Sequence, residues 1–341
     1  MDGYLRKAHI LAGQYLTAPA SCREVCHDLN GIQAQLASAA EHALRIRATD
    51  LPDELGAGFG KSWTLRGAMH LFALEDLPLF LHKGRKRALR PVDEMAEDEY
   101  ITLERKQLFA SAILEAIGMS VESRDALRAY CAQQGMTGQE AQSVFNSWGG
   151  TIRCLAEEGR LCYRPCREKA FQLCPPFEPM EAEAAELEMA RRYFTNYGPA
   201  TLRDAAYFFG STQKRARAWL DALPVKAACI EGRECFWIDR GQTRYADIPD
   251  CLLLAGFDQL MLGYEKKDSP FLPEEYLRGI FSLAGMVSPA ILLHGSVAGR
   301  WKKTGGRVEL TAFRTLKPTE QRKVLGAVER TFDDVKAVVW A

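Results

Sequence analysis

Leu5, His9, Ala12 and Leu16 fall on one face at helical spacing over residues 4–16, and Thr17-Ala18-Pro19-Ala20 then breaks the pattern. Ser21 stands where an N-cap is needed for the short helix CREVCHDL, with Glu24 three residues on to complete a capping box. Asn30-Gly31 ends that helix. A third helix is predicted from about Ile32 to Arg47, its buried stripe made by Leu36, Ala40, Ala43, Leu44 and Arg47. Beyond the polar, glycine-rich LPDELGAGFG, a strand-like run from Ser62 to Arg66 and another from Met69 to Phe72 flank a turn at Gly67.

The same order recurs twice. Over residues 121–165, VESRDALRAYCAQQG reads as a helix, MTGQEAQSVFNSWGGTIRCLAEEGRL as a turn and one long helix, and the segment from Leu161 to Cys174 as a hairpin. Over 185–245 come AELEMARRYFTNYG, ATLRDAAYFFG and STQKRARAWLDAL, with Ser211 at the start of the last helix, then strands in VKAACIEG and CFWIDR. Helices followed by a β-ribbon are the order of a winged helix-turn-helix. From 246 the pattern changes to short apolar strands, one helix, PTEQRKVLGAVERTF, and a last strand, VKAVVW. The expected fold class is therefore α+β, with three tandem winged helix-turn-helix units and a small C-terminal β-barrel or curled sheet carrying one helix. Expected domains are 1–115, 116–178, 179–245 and 246–341, with linkers near CPPFEPME and ADIPD.

Composition narrows the function classes. With 47% hydrophobic and 26% charged residues, no long apolar run and an acidic residue at position 2, the chain reads as neither disordered, membrane-spanning nor secreted. A cytoplasmic location is expected, and the ten cysteines are then reduced thiols rather than a disulfide framework. Basic and acidic residues balance at 44 each, so attraction to nucleic acid would have to come from local faces. Three basic clusters offer such faces: Lys83, Arg85, Lys86, Arg87 and Arg90; Lys214, Arg215 and Arg217; and Arg300, Lys302, Lys303 and Arg307. In the last, Gly305-Gly306 is expected at a hairpin tip that can reach into a minor groove. Tandem helix-turn-helix units also serve as protein-interaction modules, and most charge runs are solvated faces.

Cys154, Cys162, Cys166 and Cys174 match no usual zinc or iron–sulfur spacing. Six scattered histidines, no GxSxG and no phosphate-binding glycine loop leave metal hydrolysis, serine hydrolysis and nucleotide chemistry without their parts. One polar pair remains unexplained: Gln33 and Gln35 in NGIQAQL, expected in the first turn of the third helix. An amide cannot act as a base at neutral pH, but its one acceptor and two donors can place a water molecule. Solvation, or tying down the preceding loop, is the ordinary use of such residues.

GIQAQLASAAEHALRIR, SWTLRGAMHLF, FDQLMLGYEKKDSPFLP and ILLHGSVAGRWK together resemble the AlkZ-like winged-helix DNA glycosylases, a superfamily that includes the YcaQ branch. The resemblance spans nearly the whole chain. Its most specific parts are Gln33-Ala34-Gln35, matching a Gln-aliphatic-Gln motif, and a Trp-x-x-Arg-Gly-x-x-His ribbon matched by Trp63, Arg66, Gly67 and His70. The YcaQ branch carries Asp where this chain has Gln35, and relatives are expected to be acidic where it has His294.

The resemblance implies a monofunctional, cofactor-free DNA repair glycosylase that excises alkylated purines from double-stranded DNA and unhooks interstrand crosslinks, with Gln33 and Gln35 catalytic. Trp63, Arg66, His70, Lys214, Arg215, Arg217, Arg300, Lys302, Lys303 and Arg307 are then expected on DNA, and the protein is expected to be a monomer. An N3- or N7-alkylated purine is already a cationic leaving group, so a site need only orient water and stabilise an oxocarbenium-like sugar. A non-catalytic DNA-binding regulator on the same winged helices is the alternative, and an interaction scaffold a third.

Overall fold

A computed structural model of the 341-residue chain describes residues 1–50, 55, 58–85, 92, 97–146, 150–165, 170–241 and 245–341. Lys86, Arg87, Arg90 and Cys166 lie outside the described residues. The chain divides into two compact units, one made of 1–51 with 187–341 and the other of 52–186. Helices and strands are mixed in both, and no helix among the described residues is long and apolar enough to cross a membrane.

The first unit opens with the helix Gly3–Gly13, capped by the Asp2 carboxylate on the Leu5 amide. Cys22–Asp28 follows with the expected capping box, Ser21 Oγ accepting from the Glu24 amide and the Glu24 carboxylate accepting from Ser21. Next come the two-residue strand Ile32–Gln33 and the helix Ala37–Arg45. After residue 187 the unit continues with the rest of the helix Ala182–Asn196, then Leu202–Phe209, Gln213–Ala222 and the hairpin Lys226–Ile230/Arg233–Trp237. Thr212 rather than Ser211 caps the third of these helices, its hydroxyl accepting from the Arg215 amide.

The C-terminal strands are Cys251–Leu253, Ala290–Leu293, Ser296–Thr304, Arg307–Ala312 and Ala337–Trp340. They form one five-stranded sheet, antiparallel except that the last strand runs parallel to Arg307–Ala312. Cys251–Leu253 and Ala337–Trp340 stand at the two ends of its strand order among the described residues. Trp301, Leu310, Val324 and Val328 build its core against the helix Pro318–Thr331.

The second unit holds the antiparallel pair Phe59–Trp63/Met69–Ala73, extended by Leu161–Tyr163 and Phe171–Leu173 into a continuous run of strands. Helices Leu103–Gly118, Arg124–Gln133, Gly138–Val144 and Thr151–Glu158 cover a core of Phe109, Ile113, Leu127, Leu155 and Phe171. The single long helix predicted after Met136 is two helices. Gly150 starts the second, and a Cβ there would lie 2.5 Å from the Val144 carbonyl oxygen, so the chain turns back too closely for any larger residue.

Candidate active site

Asn30 and Gly31 both take left-handed conformations, φ +57° and +80°, after the helix Cys22–Asp28. Such dihedrals are cheap for glycine and tolerable for asparagine, and they end the helix by redirecting the chain. Three side chains hold this corner: Asn30 Nδ2 donates to the Met189 carbonyl at 3.0 Å, Tyr197 Oη to the Leu29 carbonyl at 2.9 Å, and Gln259 Nε2 to the Gly31 carbonyl at 3.2 Å.

What leaves the corner is extended chain, not helix, which corrects the expected placement of the glutamine pair. Ile32 and Ala34 are buried, Gln33 is buried at 8% exposure, and Gln35 is exposed. The helix begins only at Ala37, after Leu36 at the cap position, and Leu36 supplies no side-chain acceptor for the first-turn amides. The strand is confined to Ile32–Gln33, both buried, and the chain bends at Gln35 before the helix begins.

Leu36, Ser38, Ala39 and His42 of this segment form one wall of an open groove of about 680 Å³. Ala255 and Gly256 and the run Met286–Pro289 supply further walls. The hairpin Ser296–Thr304/Arg307–Ala312 supplies the last, bringing Arg300, Lys302, Lys303 and Gly305 to the groove together with Glu309. Strand alternation sorts these residues. Trp301 is buried while Arg300 and Lys302 on either side of it are exposed. Gly305-Gly306 forms the two-residue tip, as expected, with Gly305 left-handed at φ +55°. Lys303 Nζ is 2.7 Å from Asp334 Oδ2, and Arg307 Nε is 3.3 Å from Glu309 Oε1.

His42, Trp301 and Phe332 line the groove and pack on one another, with ring centroids 4.9 to 5.5 Å apart. Trp301 Nε1 donates to the Leu254 carbonyl at 2.9 Å, and His42 Nε2 lies 2.7 Å from the Leu253 carbonyl oxygen. Burial holds the His42 pKa below its ordinary value, so the ring is neutral and donates that bond. None of these aromatic roles was legible in the sequence, because the three residues come from two helices' ends and a strand far apart in the chain.

The ribbon motif lies in the second unit. Trp63 is half-buried, edge-on to Tyr163 at 5.8 Å, with the Arg153 guanidinium 4.8 Å from its ring. Arg66 is exposed on the turn at φ +55°. His70, expected to touch DNA, is buried at 2% exposure, and its Nδ1 lies 2.9 Å from Thr64 Oγ1 and 3.1 Å from the Ala68 carbonyl oxygen. Desolvation, helped by Arg66, lowers its pKa to about 3, so the neutral ring donates from Nδ1 and ties the turn.

On the helix Gln213–Ala222, Lys214 and Arg217 are exposed and Arg215 is partly covered. Arg217 lies 3.5 Å from Glu234 and its guanidinium 5.3 Å from the Phe236 ring. His294 is exposed in a two-residue turn with Gly295, both left-handed, 3.4 Å from Asp250. Among the described residues no three His, Cys, Asp or Glu side chains are arranged to hold a metal ion.

The chain is mixed α+β, and its exposed Gln35 immediately precedes Leu36 on one wall of an open groove that Arg300, Lys302 and Lys303 also line. The DNA glycosylase AlkZ-like family matches residues 27–333, and the chain belongs to that family of hydrolases acting on N-glycosyl bonds. Among its relatives is an interstrand DNA cross-link repair glycosylase of Streptomyces sahachiroi, 27% identical over 91% of this chain and 88% of the relative. The solved structure of the Streptomyces sahachiroi DNA glycosylase AlkZ has the same fold, with a TM-score of 0.72 and 21% identity over 100% of both chains.

Proposed function

We propose that this glycosylase hydrolyses the N-glycosidic bond of N3- and N7-alkylated purines in double-stranded DNA, interstrand crosslinks included, with Gln33 and Gln35 as its catalytic residues. The observation that carries the reading is the exposed amide of Gln35, one residue before the wall of a groove bordered by Arg300, Lys302 and Lys303. Gln35 holds the attacking water near the anomeric carbon. Gln33, which is buried, helps orient that water or contacts the sugar-phosphate. The cationic base needs no proton to leave, so placed dipoles suffice. An open groove also suits a crosslinked nucleotide, which cannot be flipped free of its partner strand.

In this reading the three successions of helices and a hairpin are winged helices, and the four segments 1–115, 116–178, 179–245 and 246–341 are their successive domains and the C-terminal sheet. Trp63 and Arg66 contact DNA, with His70 holding their turn. Lys214, Arg215 and Arg217 grip phosphates. The hairpin carrying Arg300, Lys302, Lys303 and Arg307 probes the duplex, and the protein works as a cytoplasmic monomer.

The test is incubation with duplexes carrying N7-methylguanine or a nitrogen-mustard crosslink, comparing wild type with Gln33→Ala and Gln35→Ala. Base release by wild type and its loss in both variants is expected. Equal release by all three removes the glutamines from the mechanism. Tight sequence-specific binding without release of any adduct moves the reading to a regulator.

A further inference from the structure

Phe281 and Val287 are both 5% exposed and bridged to each other, and they anchor the base of a small hairpin loop. Its closure is complete. The Gly285 amide donates to the Ser282 carbonyl at 3.2 Å, the Ser282 amide to the Met286 carbonyl at 2.9 Å, and the Met286 amide to Ser282 Oγ at 3.0 Å. Gly285 is left-handed at φ +79°, as a three-residue hairpin loop requires at its third position.

The tip of such a loop is normally polar. Here it is Leu283, 90% exposed, whereas the next most exposed large apolar side chain described, Met119, is at 53%. A lone exposed leucine means little. This one, however, is held on an ordered turn three residues before Met286, and Met286, 45% exposed, begins the Met286–Pro289 wall of the groove. Leu36, 47% exposed and adjacent to Gln35, lines the same groove, as do the cations Arg300 and Lys302. Apolar side chains on the rim of a cationic groove match a duplex, whose phosphates seek the charges and whose separated base steps accept the hydrocarbon.

We propose that Leu283 is an apolar wedge that enters the base stack beside the damaged nucleotide, with Met286 and Leu36 packing on the surfaces it exposes. The proposal rests on the reading of the groove as the duplex-binding site. Leu283 is a positioning residue: by occupying the gap it offsets the cost of separating the step and presents the sugar to Gln35. It makes no bond to the reacting atoms.

The experiment is single-turnover excision of N7-methylguanine by Leu283→Ala and Leu283→Met, on a fully paired duplex and on one with an abasic site opposite the lesion, where the stack is already broken. A 2-aminopurine beside the lesion reports unstacking. Leu283→Ala is expected to excise about tenfold more slowly on the paired duplex, equivalent to one decade of rate. It is expected to lose less than about twofold on the abasic duplex, to lose the 2-aminopurine fluorescence rise, and to keep the wild-type thermal midpoint. Leu283→Met retains most of the rate. An equal loss on both duplexes, or no loss on either, overturns the wedge. The double variant Arg300→Glu/Lys302→Glu separates the two readings. If it binds duplex as wild type does, the groove reading fails and the wedge with it. If it loses binding while Leu283→Ala behaves as wild type, only the wedge fails.

Discussion

Arg47 and Asp258, 211 residues apart in sequence, meet as a two-pronged ion pair with no solvent exposure on either side chain, Nη2 to Oδ1 at 2.6 Å and Nη1 to Oδ2 at 3.0 Å. Arg47 also donates to the Ala43 carbonyl, and Asp258 accepts from the Leu260 amide. The pair therefore locks the end of the helix that follows the glutamines onto the loop whose Gln259 holds Gly31. The Asp-Gln of FDQL, among the segments that carry the family resemblance, is structural cement for the site.

Removing one partner strands the other charge in the core. Arg47→Leu or Asp258→Leu is expected to lower unfolding free energy by about 3–5 kcal/mol, measured by urea denaturation. The aspartate variant should lose more, because it also gives up the cap on the helix Gln259–Leu262. A loss below about 1 kcal/mol in both would mean that the clamp does not hold the loop.

The two glutamines should separate in their stability effects. Gln35 is exposed, so Gln35→Ala is expected to leave the unfolding free energy within about 0.5 kcal/mol of wild type. Its excision rate should fall by about 10²-fold or more, as when a placed dipole is deleted. Gln33 is buried, and Gln33→Ala should cost both stability and rate. Single-turnover excision and denaturation on the same preparations distinguish these outcomes.

Lys302 is exposed and lines the groove. If it meets a phosphate, Lys302→Ala should weaken duplex binding uniformly across sequences and reduce the slope of log K against log salt by about one. Fluorescence anisotropy at several salt concentrations gives that slope, and an unchanged value takes Lys302 off the backbone.

His70 sets an acid limit on the fold. Its pKa is about 3 in the folded chain and near 6.5 when exposed, so the unfolded chain binds the extra proton. Stability is therefore full above about pH 6.5 and declines as pH falls toward 3, by up to about 1.4 kcal/mol per pH unit. Burial lowers His9 to about 4, which adds to the same decline. His70→Asn is expected to flatten the profile between pH 6 and 4 in thermal melts, and a profile as steep as wild type would show that the ring is not buried neutral.

Local signals determined much of this protein. The Ser21–Glu24 box, the Asn30-Gly31 stop, the Gly67 turn and the Gly305-Gly306 tip were legible because each rests on neighbours within a few residues. Period decided much of the rest, but at Ile32-Gln33 the helix expected there gave way to a short buried strand once the chain turned at Asn30, and the helix starts only at Ala37.

Tertiary structure decided what gathers around the groove that begins at Leu36. Gln35 leads into a wall completed by residues near 255, 287 and 302, and no local pattern encodes contacts across more than 200 positions. It also decided that His70 turns inward as a latch, that Trp301 is buried while Arg300 and Lys302 are exposed, and that the C-terminal strands pair in one five-stranded sheet. Burial and charge pairing are properties of the assembled core, and they exist only after distant segments have met.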